Sequence, residues 1–182
     1  MAKPGDVIEN PVIGDRVVFR RTGVDTGGEL LEFDLFAKAG APGPPEHIHP
    51  NQEERFLVLA GSLTGRIDGR EVSCATGEEL VVGAETPHTW WNAGQSEVRV
   101  RVQLRPAGRM ERFLETIYGL AKDGKTNAKG IPHPLQLAVF ASSYFDTSYL
   151  SHPPLFVQRI ALGMLASVGR ILGYRPDYPY RS

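Results

Sequence analysis

The sequence predicts an all-β domain over residues 1–106 followed by a helical segment over 107–182, and three observations carry that division. Short runs rich in Val, Leu and Phe alternate with Gly, Pro and Asp clusters up to Pro106. "EVRVRVQL" puts Val98, Val100, Val102 and Leu104 on one face and Arg99, Arg101 and Gln103 on the other, the period of a half-buried strand. Beyond Pro106 the apolar spacing changes to three and four residues, the period of a helix.

In chain order, "RVVFRR", "LLEFDLFAK", "RFLVLAG", "LTGRIDGREVSC", "ELVVG", "HTWWN" and "EVRVRVQLRP" are the predicted strands. Asp68-Gly69 supplies the positive φ angles that a tight hairpin turn demands. Seven or more strands in about a hundred residues leave a sandwich or a barrel. Met110, Phe113, Leu114, Ile117 and Leu120 predict a helix over 107–122, and prolines open two more, over 134–145 and 153–172. The last is nearly long enough to span a bilayer, but Arg159 and Arg170 interrupt it, and with Gly163 and Ser167 they form a narrow polar stripe. An amphipathic helix packed on protein is expected. "RFLVLAG" is apolar on both faces, so the tail is expected to cover the outer sheet or a second subunit, most simply in a homodimer.

Composition narrows the function classes. Twenty Lys and Arg against 21 Asp and Glu leave a net charge of −1, scattered along the chain, which argues against a nucleic-acid partner. The first residues show no apolar stretch of the secretory kind, and Cys74 is the only cysteine, as suits a reducing cytoplasm. Cys74 itself is expected to be an apolar filler in a strand.

The chemistry concentrates in "EHIHPNQEERFLVLAG", residues 46–61. Histidines at i and i+2 of an extended segment point the same way, so the imidazoles of His47 and His49 can reach one ion. Glu54 shares strand parity with Phe56 and Val58 and can add a carboxylate, whereas Glu53 sits with Arg55 on the opposite face. A second cluster, "GEELVVGAETPHTWWN" over 77–92, opens a strand on which His88, Trp90 and Asn92 share a face, with Trp90 expected to turn inward.

Together the two clusters resemble the cupin family. His47, His49, Glu54 and Gly61 fall on the first family motif, and Gly77, His88 and Asn92 on the second. Two places depart from it: Ala41 stands for the leading Gly of the first motif, and Gly83-Ala84-Glu85 for the P-x-G turn of the second. The resemblance covers residues 14–106 and implies a double-stranded β-helix, the jelly-roll cupin barrel, with His47, His49, Glu54 and His88 binding one divalent metal ion: Fe, Mn, Ni, Co or Zn. It implies a small-molecule ligand or substrate, and a metal-dependent enzyme acting on a small oxygenated organic molecule. A dioxygenase is preferred; the alternatives are an isomerase or cyclase using the metal as Lewis acid, and a non-catalytic binding or sensor module. Glu54 is the candidate catalytic residue, a ligand able to take a proton, with Glu46, Gln52 and Glu53 as polar helpers.

Overall fold

The computed structural model describes residues 2–181. Strands β1 (Val7–Asn10), β2 (Asp15–Arg21), β3 (Leu31–Ala37), β10 (Val98–Arg105), β5 (Glu53–Ala60) and β8 (Glu79–Val82) lie in that order in one antiparallel sheet. A second antiparallel sheet runs β11 (Tyr149–Leu150), β4 (His47–Ile48), β9 (His88–Trp91), β6 (Ser62–Ile67) and β7 (Arg70–Ala75). The expected barrel is therefore two separate sheets, with no strand pairing between them among the described residues.

Alternation fixes which face of each strand is covered. Along β10, Val98, Val100, Val102 and Leu104 are buried and the residues between them half-buried, as the sequence period requires. Their partners on β3 and β5, Leu35, Phe33, Val58 and Phe56, join Leu63 and Cys74 of the other sheet in one apolar core. Asp68 and Gly69, at φ 48° and 74°, form the tight turn between β6 and β7. On the outer face of the larger sheet Asp34 is fully buried among guanidiniums: Arg20 at 2.7 Å, Arg99 at 2.7 Å and Arg101 at 3.0 Å. Arg99 and Arg101 thus form an internal ion-pair network on that face.

Helices α1 (Met110–Lys122), α2 (Pro134–Ser143) and α3 (Leu155–Ile171) follow. Met110 and Tyr118 of α1 belong to the main core, and Phe113 stacks with Phe140 and Tyr144 to tie α1 to α2. Small residues let α2 and α3 approach closely: Ala138 and Ala166 are fully buried, and a Cβ on Gly169 would come within 2.7 Å of Val139. Packing through that small-residue side turns α3 so that Arg159, Gly163 and Arg170 line a groove of about 730 Å³, while its large apolar side chains face outward. The tail also enters the smaller sheet directly, since β11 pairs with β4 through Tyr149–Ile48 and Leu150–His47. No helix among the described residues is long and apolar enough to cross a membrane.

Candidate metal centre

Three elements of backbone bring four side chains together. His47 lies on β4 directly opposite His88 on β9, and Glu54, the second residue of β5, faces inward with Phe56 and Val58 as its parity requires. His49 immediately follows β4, on the same side as His47. One ligand atom from each of His47, His49, Glu54 and His88 lies within 4.8 Å of all the others. His49, Glu54 and His88 are buried, and His47 is half-buried.

The rings are held from behind by backbone carbonyls. Nδ1 of His47 faces Pro45 O at 2.9 Å, Nδ1 of His49 faces Thr147 O at 2.7 Å, and Nδ1 of His88 faces Thr86 O at 2.9 Å. A carbonyl only accepts, so each Nδ1 carries the hydrogen and each neutral ring keeps its Nε2 lone pair for the centre. There, His88 Nε2 stands 2.9 Å and His49 Nε2 3.4 Å from the same Glu54 oxygen. Lone pairs and a carboxylate brought that close in a buried site require a proton or a cation between them. Three imidazoles and one carboxylate are the donor set of a divalent transition ion, so these residues fit one.

The electrostatics follow from the same contacts. Burial, reinforced by the neighbouring His88 and His49 rings, lowers His47 to about 3, so it stays neutral. Where a proton bridges Nε2 of His49 or His88 to Glu54, burial would raise the carboxyl, but hydrogen bonds from those rings outweigh it and hold it below its ordinary range. Burial likewise opposes charging of His88, yet its bond to Glu54 raises it above an ordinary histidine.

Both departures from the motif have local solutions. Gly43 takes φ 66° where the chain crosses β9, and a Cβ there would lie 1.5 Å from Trp90 O, while Ala41 is buried and its carbonyl accepts from Asn92 N. Glu85 adopts φ 63° in the turn before His88, and its N–H donates to His49 O at 2.8 Å. Asn92 holds the end of β9 by donating to Ala37 O and Lys38 O, a structural role. Trp90 packs against the core, whereas Trp91 lies outside under Arg66.

The predicted helpers are otherwise engaged. Gln52 donates to Pro106 O and Ala107 O, Glu53 pairs outward with Arg55, and Glu46 accepts from Ser151 Oγ at 2.6 Å. Sequence reasoning missed Thr147, whose backbone oxygen holds His49, because a carbonyl is common to every residue and leaves no signature. The groove lined by Pro50, Asn51 and Tyr149 borders this site from outside, and none of the four donors lines it.

A model of the cupin domain matches residues 36–103, a stretch that contains all four donors. The chain is 29% identical over 154 residues to the probable oxidoreductase virH of Hypocrea virens, covering 78% of this chain and 68% of that protein. It is 31% identical over 162 residues to the probable oxidoreductase yanE of Aspergillus niger, with 80% and 62% covered. A stretch of 83 residues is 34% identical to the tetracenomycin polyketide synthase protein TcmJ of Streptomyces glaucescens, 44% of this chain and 52% of that one. The chain thus spans between about half and about two thirds of these relatives' lengths. Among solved structures, an RmlC-like cupin from Shewanella frigidimarina aligns at 18% identity with a TM-score of 0.49, over 57% of this chain and 86% of that one. Residues 36–103, the stretch that holds all four donors, form a cupin domain.

Proposed function

We propose that this protein is a metal-dependent oxidoreductase acting on a small oxygenated organic molecule, with dioxygenation as the preferred reaction. The observation that carries it is the convergence of three imidazoles, each fixed at Nδ1 by a carbonyl, with Glu54 within 4.8 Å. The names of the relatives, probable oxidoreductases, support the class. His47, His49, Glu54 and His88 would hold one divalent ion: Fe, Mn, Ni, Co or Zn. Such an ion supplies Lewis-acid polarisation of an enol, carboxylate or phenolate oxygen and, as iron, reactivity toward dioxygen.

The chain's own residues do the rest. The carbonyls of Pro45, Thr147 and Thr86 keep the imidazoles in one tautomer and orientation. Glu54 offsets positive charge at the centre and, by rotating one oxygen away, accepts a proton from a bound enol or phenol. Residues 1–106 form the ligand-holding unit in this reading, and 107–182 buttress it.

The test has two stages. Protein purified without added metal is analysed for bound ions alongside His88→Ala, which is expected to lose stoichiometric metal while keeping its β circular-dichroism signature. Fe- and Mn-loaded protein is then incubated with enols, catechols and related metabolites, following O₂ uptake and products by mass spectrometry. Turnover that consumes O₂ supports the reading. Isomerised or cyclised product without O₂ uptake replaces it with a Lewis-acid enzyme, and saturable binding without consumption under any metal leaves a binding module.

A further inference from the structure

The outward half of α3 is an apolar surface without a partner in the monomer. Phe156 and Met164 are each 66% exposed and Ile171 is 85% exposed. At 100° per residue these side chains, together with Ile160, Val168 and Leu172, fall on one continuous half of the helix that carries no charged residue. Large exposed apolar patches on soluble folds mark interaction sites.

We propose that this face is the seam of a homodimer, in which α3 packs against α3 of a second copy about a two-fold axis. Spacing argues for a helix as the occupant. Val157, Ile160, Met164, Val168 and Ile171 recur at intervals of three, four, four and three, the repeat that seats side chains between those of a facing helix. Phe156 flanks this seam on one side and Leu165 and Leu172 on the other, all exposed. Extent agrees: eight large apolar side chains from Phe156 to Leu172 are each 37% to 85% exposed, a contiguous patch and not the scattered single residues of an ordinary surface. Symmetry agrees as well, because an apolar stripe without charge is its own complement, and Met164, next to the middle of the helix, meets its own mate in an antiparallel pair.

Charge argues against a lipid surface. Arg159 and Arg170 line the groove on the other side of α3, where Arg170 donates to the hydroxyls of Ser142 and Ser143 and Arg159 stacks on Phe145. These are the only two basic residues on α3, both are engaged by groove contacts, and the net charge of −1 gives no general attraction to anionic lipid.

Sedimentation equilibrium of the full chain tests this. The wild type is expected at twice the chain mass, and Met164→Glu to weaken the dimer by about 30-fold or more, as removal of a central anchor does. Ile160→Gln with Met164→Gln, neutral and close in size, is expected to dissociate it too. Both variants should keep the helical circular-dichroism signal of the wild type, since the exchanged side chains are solvent-exposed in the monomer. A wild type monomeric at every concentration overturns the proposal, as does a dimer that neither variant weakens. Co-sedimentation of monomeric protein with phosphatidylserine vesicles replaces it with a membrane surface.

Discussion

His49 donates its Nδ1 hydrogen to the carbonyl oxygen of Thr147 across 2.7 Å, so a residue 98 positions later in the chain orients a donor of the candidate centre. The contact is buried, and side-chain ties from the β4 region help hold the segment that makes it: Asn51 to Asp146 O at 3.3 Å and Ser151 Oγ to Glu46 at 2.6 Å. Asn51→Ala and Ser151→Ala together loosen that segment without touching a donor. The expected result is a metal affinity lower by about tenfold, the low end of what lost outer hydrogen bonds cost. Competition with a chromophoric chelator measures it, and unchanged affinity would show that the contacts left, β11 pairing and the Arg109–Asp146 ion pair among them, keep Thr147 in place.

What the sequence disclosed and what it hid divide along physical lines. Alternation in β10, the Asp68-Gly69 turn, and the shared parity of His47 with His49 and of Glu54 with Phe56 were legible, because each is a local rule of strand or turn geometry. Strand β11 was not, since two residues cannot display a period, and its place beside β4 follows from packing of the tail. Which side of α3 packs on α2 was not legible for a related reason. Apolar residues surround most of that helix, and the side that packs was decided by the small residues Ala166 and Gly169, not by hydrophobicity.

Gly43 leaves no room for a side chain beside β9. Its φ of 66° disfavours any Cβ, and the built Cβ would collide with the Trp90 carbonyl at 1.5 Å. Gly43→Ala must displace β9, the strand that carries His88. Destabilisation of about 3 kcal/mol or more is expected, at the upper end of single substitutions, together with weaker metal binding. Urea denaturation checks the first effect; a loss below ~1 kcal/mol would mean that the loop around Gly43 yields more easily than its contacts indicate.

Asp34 compensates three guanidiniums from an outer sheet face. Burial alone would raise its carboxyl, but hydrogen bonds from Arg101, Arg99 and Arg20 outweigh burial and hold it below the ordinary range. A depressed acid contributes stability above its unfolded pKa and loses it as pH falls through the folded value. Asp34→Ala leaves Arg20, Arg99 and Arg101 crowded on adjacent strands, each a third or more exposed, so water limits the penalty. A loss of about 2 kcal/mol near neutral pH is expected, below that of a fully buried broken pair. The difference from wild type should shrink in acid, and one that stays constant would mean that packing, not charge, is what Asp34 supplies.

Asp15 behaves in the opposite sense. It opens β2 with 5% of its surface exposed, its Oδ1 is buried with no hydrogen-bond partner, and burial raises it from 3.8 to about 7 against the partial counter-charge of Lys38. With the folded value above the unfolded one, the folded state binds the extra proton between 3.8 and about 7. Its contribution is therefore complete below 3.8, declines as pH rises, and has become a full penalty above about 7. Asn is neutral at every pH and nearly the same shape. Asp15→Asn is expected to leave stability close to wild type near the acid end of that window and to raise it by on the order of 2 kcal/mol above it, since each pKa unit corresponds to about 1.4 kcal/mol and part of the strain relaxes. Urea denaturation of both proteins across the window gives the difference directly. A gain that did not grow with pH would mean that the Asp15 carboxyl is ionised in the folded state throughout.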